Sequence, residues 1–343
     1  MRTSADHPKK VVLALQGGAA LGAFGWGVLD RLLQDDRLNI EGVSGTSSGA
    51  VNAALLAYGM IGGDRDQART LLAKFWARIS EESEQRRWGR LRSLRLLGSQ
   101  ILQFRRKEVF FEVMSRILLP YQFDPVTMDP LRAVIDESID FDRLRSSDTI
   151  SLFVNATNIA TNKNRVFARD EVSLDALCAS CCLPFLFDAV TIDAEQYWDG
   201  GYMGNPTIYP LINDDSPLDI ILVLTSNLES RIEPKTSAEI VNRVSQVSFT
   251  SALMREMRAI KFVTELLDNG FVKPEAGLRR VNIHIIAPKA NDPEFDSVKN
   301  FNADWHYMKR MKENGSQTAD AWLQESFSKI GHRSSVDLEA MFC

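Results

Sequence analysis

The chain has 343 residues, 45% of them hydrophobic and 25% charged, with a formal charge of −5, enough for one large domain with a substantial core. The acidic balance excludes a dedicated nucleic-acid binder, which needs a basic surface to release counterions. No uncharged apolar run approaches the ~20 residues that span a bilayer.

The polar leader through Lys10 lacks the apolar segment that a secretory signal requires. Cys178, Cys181 and Cys182 crowd into one short apolar stretch and Cys343 stands alone, which is neither a disulfide framework nor a metal-ligand spacing. Reduced, buried thiols are expected, in a cytoplasmic setting, with no metal and no cofactor.

Val11 to Leu15 is an apolar run ending at Gly17-Gly18 and reads as a buried strand. A helix is predicted from about Ala20 to Leu33, with Leu21, Phe24, Val28, Leu29 and Leu32 on one face. Ile40 to Val43 is a second strand, and a small-residue helix follows over Ala50 to Ala57. Strand, helix, strand, helix predicts a parallel sheet covered by helices.

A helix is expected from Asp64 to about Gln103, then strands at Ile150 to Ala156 and Arg165 to Phe167. Leu174 to Cys182 reads as a helix stopped by Pro184, and Ala189 to Ile192 as a strand. Gln196 to Gly204 reads as an exposed turn. Strands are predicted at Asp219 to Leu224 and Val281 to Ile286, with helices over Ala238 to Leu267 and Phe295 to Phe327.

Gly45-Thr46-Ser47-Ser48-Gly49 lies between a strand and a helix, the place of a G-x-S-x-G nucleophile elbow. A serine on so sharp a turn needs neighbours without side chains, and the helix start behind it favours developing negative charge. Gln16-Gly17-Gly18-Ala19-Ala20-Leu21-Gly22 occupies the earlier strand-to-helix turn. A dinucleotide loop there would require a carboxylate at the end of strand two to hold the ribose, and Val43-Ser44-Gly45 offers none. The better reading is a row of backbone N–H groups serving an oxyanion beside Ser47.

The base has few candidates. His7, His306 and His332 lie in polar segments, and His284 lies inside a strand, where a satisfied sheet histidine is expected. The order Ser47, Asp199, His284 would suit an α/β-hydrolase triad, but that elbow follows several strands and here only two precede it. A carboxylate remains: Asp199, in Tyr197-Trp198-Asp199-Gly200-Gly201, which otherwise reads as a plain Asp-Gly turn.

Together, Leu15-Gln16-Gly17-Gly18 through Leu29, Gly45 to Gly49, and Asp199-Gly200-Gly201 resemble the three signatures of the patatin-like phospholipase family, over about Val11 to Leu224. The resemblance implies a three-layer α/β/α fold with a mostly parallel sheet, and lipid acyl-ester hydrolysis by a Ser–Asp dyad without metal. Carried over by position, Ser47 is the nucleophile and Asp199 the proton acceptor. Gly17, Gly18 and Ala19 form the oxyanion hole, with Gly22, Gly45, Gly49, Gly200 and Gly201 supporting the turns. Two positions depart from the family pattern: Ala19 replaces a third glycine, and Leu21 a basic residue. Alanine keeps its N–H, whereas the lost basic side chain removes any charge role it plays elsewhere. Ala179 to Pro184 is similar to the family's small-residue helix and closing proline.

The implied organisation is a catalytic domain over 11–225, with a helical insertion at about 63–120, and a C-terminal helical extension over 226–343 packed on the core. From Arg86 to Lys107, eight basic residues interleave with Trp88, Leu91, Leu94, Leu97, Ile101 and Phe104, without a single acid. That pattern suits an anionic membrane surface, or equally a lid helix with its arginines in solvent. The expected partner is a lipid or other acyl ester; storage polyesters and a catalytically silent lipid-binding role stand as alternatives. No nucleic-acid partner is expected, and the oligomeric state is not encoded legibly.

Overall fold

The computed structural model describes residues 7–97, 128–184, 186–212, 219–229, 233–235, 237–273, 276–289, 292, 295 and 304–343. Strand β1 (Lys9–Leu15) runs through the middle of the molecule, and its last five residues are all buried. Such a run, apolar on both faces, is the signature of a strand covered on both sides. Its neighbours are β2 (Leu38–Gly45) and β7 (Asp219–Val223), both parallel to it.

The eight-stranded sheet has the order β5-β6-β3-β2-β1-β7-β8, with β4 also paired to β3. Here β3 is Ser151–Asn158, β4 Asn164–Ala168, β5 Val190–Ile192, β6 Glu195–Asp199 and β8 Asn282–Ile286. The centre and the β8 edge are parallel, while β4, β5 and β6 pair antiparallel. The sheet is therefore mixed but mostly parallel, flanked by helices in a three-layer α/β/α arrangement.

Strand alternation divides the core. Val11, Leu13 and Leu15 belong to one buried cluster with α1 (Gly22–Leu33), α2 (Ser48–Gly59) and the start of α3 (Arg65–Leu97). Val12 and Ala14 point the other way, into a cluster with Leu253, Met257 and Ile260 of α7 (Ser237–Asp268). Period-two alternation is what lets one strand feed two helical layers. Buried polar groups tie the first layer: Trp76 Nε1 donates to Asn52 Oδ1 at 3.0 Å, and Asn52 Nδ2 to the Gly22 carbonyl at 2.9 Å.

The region from 226 onward shares the sheet. Strand β8 extends it beside β7, and α8 (Trp305–Ser326) lies along α1. A Cβ at Gly27 would sit 1.9 Å from the Lys312 carbonyl, and one at Gly315 would sit 2.1 Å from that of Phe24. The two helices cross backbone to backbone, which a larger residue at either point would prevent. A final turn, α9 (Leu338–Phe342), buries Phe342 in the α7 layer.

Three expectations need correction. The segment expected as an exposed turn over Gln196 to Gly204 begins as strand β6, and Asp199 at its end is buried. Two exposed polar residues, Glu195 and Gln196, disguise a strand whose inward positions are Tyr197 and Asp199. Helices α4 (Asp129–Ser138) and α5 (Phe141–Ser146) were not anticipated, and α6 covers Leu174–Ser180. The last long helix starts at Trp305, where the Asp304 side chain accepts the Tyr307 N–H at 3.0 Å, rather than at Phe295. Of the basic stretch, residues 86–97 continue the backbone of α3; its side chains and residues 98–107 lie outside the described residues. No helix among the described residues is long and apolar enough to cross a membrane.

Candidate active site

Strand β2 ends at Gly45 and α2 begins at Ser48, so Ser47 sits on the turn between them with φ 55° and ψ −127°. Few non-glycine residues occupy such a conformation, which costs about 1–3 kcal/mol and persists only where surroundings enforce it. The turn closes tightly on itself. A Cβ at Gly45 would meet the Gly49 carbonyl at 2.3 Å, and one at Gly49 the Leu15 carbonyl at 2.3 Å. The Gly49 N–H donates to the Thr46 carbonyl, and the Ser47 N–H to Ser180 Oγ at 2.9 Å.

Asp199 reaches the same place from β6. Its side chain is 1% exposed, and its Oδ1 accepts the Gly201 N–H at 2.8 Å. Oδ2 is buried and has no hydrogen-bond partner among the described residues. Burial pushes the carboxyl up to about 7, against the opposing pull of the Gly201 N–H and then of the Ser47 hydroxyl. Ser47 and Asp199 therefore adjoin, with their contact short of a formed hydrogen bond. Contacts of this kind tighten when a substrate completes the site.

The glycine loop after β1 completes the cluster. Gly17 N–H donates to Asn205 Oδ1 at 2.8 Å, and Gly18 N–H to Ser48 Oγ at 3.1 Å. Among the described residues no acceptor takes the Ala19 N–H. Ala19 has φ 51°, the left-handed region that glycine enters without penalty, so the family's glycine at this position has a backbone reason. Gly22 opens α1 against Ser48, and Gly200 lies against the Asn155 carbonyl. Leu21 is buried in the core.

The histidines lie elsewhere. His284 pairs in register with Ile221, Ile221 with Leu13, and Leu13 with Val43. Three strand spacings of about 4.8 Å thus separate it from the β2 strand that carries the elbow. It is fully buried, with Nε2 2.9 Å from Asp219 Oδ1. His306 and His332 are exposed, as is His7.

Several residues at the site carry no role that the sequence alone assigns. Ser180 holds the Ser47 N–H, Asn205 the Gly17 N–H, and Phe249 of α7 packs on Gly201 and Tyr202. Cys181 is buried beside Ser47 and Asp199, and burial pushes its thiol well up; the neighbouring Cys178 and Cys182 thiols are raised to about 11 and about 12. All four cysteines are free. Asn155 and Thr157 interrupt the apolar β3 strand, and those polar positions were the one signal available for them.

With this geometry in view, residues 13–212 match the family model described as patatin-like phospholipase. The match covers more than half of the chain, so the protein belongs to the patatin-like phospholipase family. Among solved structures, VipD from Legionella pneumophila is similar at 16% identity and a TM-score of 0.39, over 92% of this chain and 67% of that one. ExoU in its complex with SpcU, from the type III secretion system of Pseudomonas aeruginosa, gives 16% identity and a TM-score of 0.33, over 93% of this chain and 53% of that one. The structure of the type III effector protein ExoU gives 17% identity and 0.35, over 92% and 53%. The chain thus spans about half the length of ExoU. No curated protein matches it.

Proposed function

We propose that this protein cleaves acyl esters of phospholipids or related lipids, with Ser47 as nucleophile and Asp199 as its base. The observation that carries this reading is a buried carboxylate beside Ser47, raised to about 7, with one oxygen free to take a proton. A base is most effective when its pKa lies near the working pH, and an ordinary aspartate would be too weak.

In this mechanism Ser47 Oγ attacks the ester carbonyl carbon and its proton passes to Asp199 Oδ2. The tetrahedral oxyanion accepts N–H groups from the glycine loop. Ala19 N–H is available, and Gly18 N–H is released when the Ser48 hydroxyl turns to another partner. The Gly17 N–H is held by Asn205, so Gly17 serves to shape the loop. Collapse breaks the C–O bond, and the departing alcohol takes the proton back from Asp199. Water then attacks the acyl-Ser47 ester while giving a proton to Asp199; the second tetrahedral intermediate collapses, Ser47 Oγ takes that proton back from Asp199 as its C–O bond breaks, and the fatty acid leaves.

Ser47→Ala and Asp199→Asn test the proposal, with product analysis on phospholipid vesicles, polyester granules and soluble nitrophenyl esters. Each variant should fold and lose hydrolysis, and the double variant should be no worse than either, because the pair acts as one unit. A variant that keeps activity within about tenfold of the parent removes its residue from the mechanism. Turnover of polyester but not vesicles would move the substrate class.

A further inference from the structure

The strands that carry Ser47 and Asp199 are not neighbours. The sheet order β6-β3-β2 places β3 between them, so whatever fixes the distance from nucleophile to base must act through or across β3. Two buried side chains do so, Thr46 and Asn155, at 0% and 1% exposure. Thr46 Oγ1 lies 2.6 Å from Asn155 Oδ1 and 2.8 Å from the Gly204 carbonyl. Asn155 Nδ2 lies 3.1 Å from the Gly200 carbonyl, the Gly204 carbonyl and Asn164 Oδ1 alike.

The amide orientation is set by these neighbours. Every group around Nδ2 is an oxygen acceptor, so the flipped amide would face three oxygens with a fourth. One hydroxyl proton and two amide protons serve these acceptors, and one connected network joins the residue before Ser47 to the turn after Asp199. The turn also presses on β3 directly, since a Cβ at Gly200 would meet the Asn155 carbonyl at 2.3 Å. Thr157 Oγ1 adds a bond to the Asp199 carbonyl at 2.8 Å. Ser47, at φ 55°, is a strained residue that needs its neighbour held.

From this juxtaposition we infer that Thr46 and Asn155 form a positioning clamp, which sets the separation between the Ser47 hydroxyl and the Asp199 carboxylate without touching substrate. The inference rests on the Ser47–Asp199 reading and adds to it two residues that set the rate. A purely structural network would contribute stability and leave the chemistry of each folded molecule unchanged. A clamp has a second signature. When it loosens, the carboxylate loses the Ser47 hydroxyl, which favours its charged form, and so holds its proton to higher pH.

The experiment compares the parent with Thr46→Val, which keeps the shape and deletes the hydroxyl, and Thr46→Ser, which restores it. A soluble short-chain ester is the substrate, Ser47→Ala runs in parallel, and thermal melting reports folding. The clamp predicts that Thr46→Val lowers kcat roughly 10- to 100-fold with KM within about threefold, and moves the acid limb of kcat/KM upward. Thr46→Ser should return both close to the parent. Asn155→Leu should lower kcat similarly, and Thr46→Val with Asn155→Leu should be less than additive. Folded Thr46→Val with parental kcat and an unmoved limb overturns the clamp, as does Thr46→Ser no better than Thr46→Val. Should Thr46→Val melt too low to assay, Thr46→Ala is judged by the same two readouts. Activity surviving in Ser47→Ala overturns the dyad and the clamp with it. An inactive Ser47→Ala beside an undisturbed Thr46→Val overturns the clamp alone.

Discussion

Asp199 and Asp219 stand at two ends of one sheet, the first closing β6 and the second opening β7, and both are at most 4% exposed. Around Asp219, Oδ1 accepts Asn282 Nδ2 at 3.1 Å, the Gly331 N–H at 2.9 Å and His284 Nε2 at 2.9 Å. Burial alone would raise that carboxyl, but His284, Gly331 and Asn282 together outweigh it, and the group ends below its ordinary range. Around Asp199, among the described residues, only Gly201 donates within hydrogen-bond geometry, burial wins, and the carboxyl rises to about 7. Two aspartates almost closed to solvent therefore shift in opposite directions, because Asp199 is the more deeply desolvated and Asp219 has the more donors. Depth of burial and donor count together decide whether such a carboxyl holds or releases its proton.

The sharpest way to break this comparison is Asp199→Asn. The amide keeps the shape but cannot take a proton, so ester turnover should fall by about 10³-fold or more, measured as kcat on a soluble ester with folding checked by circular dichroism. Turnover near the parental value would show that the free oxygen has no chemical role.

The pH dependence of stability should separate the two aspartates by sign. Asp199 has a folded pKa raised from 3.8 to about 7, so the folded state holds a proton that the unfolded state has lost. Its contribution is present below about pH 4 and is lost as pH rises through about 7, a swing on the order of 4 kcal/mol. Urea midpoints of the parent should thus decline relative to Asp199→Asn between pH 4 and 8. Parallel curves would reject the raised pKa. Asp219 works the other way: its folded pKa is lowered, so its stabilisation is present above its ordinary pKa and disappears as pH falls through the folded one. The acid limb of kcat/KM should lie near pH 7, with activity lost below it as Asp199 takes up its proton.

Asp219→Ala strands two buried donors, Asn282 Nδ2 and His284 Nε2, beside the part-buried Gly331 N–H, and should cost about 3 kcal/mol of stability. Turnover per folded molecule should stay within about twofold, because Asp219 opens β7 two strand spacings from the elbow strand and at the opposite end of the sheet from Ser47. His284→Gln should behave likewise on turnover. A collapse of kcat in that variant at normal stability would bring back a histidine triad.

The smallest expected effect concerns strain rather than burial. Ala19→Gly relieves a left-handed alanine at φ 51° and should raise stability by about 1 kcal/mol, read as the urea midpoint at constant m-value. A lowered midpoint would mean that the loop relaxes at no cost.

The three turns at the site were legible in the sequence because each imposes a local backbone demand. Gly45 and Gly49 are required by carbonyls at 2.3 Å, and glycine clustering reports such demands without knowledge of the rest of the fold. The parallel centre of the sheet was legible too, since strands buried on both faces are continuously apolar. The five-residue β6 was not, because Glu195 and Gln196 face solvent and mask its inward residues. Helices α4 and α5 were missed beside it.

What tertiary structure alone decided is the chemistry of Asp199. Its proton affinity comes from desolvation, and desolvation is a property of everything packed around it: β3 alongside, Phe249 from α7 over Gly201 and Tyr202, and Cys181 behind. The same holds for Asn155, an unremarkable polar residue in a strand until β2 and β6 arrive on either side of it. Residue types that bend the backbone announce themselves locally, whereas a carboxylate or an amide takes its role from partners far away in sequence. Local sequence thus fixes where Ser47 and Asp199 stand, at a strand-to-helix turn and a strand end, and packing fixes how strongly Asp199 holds a proton.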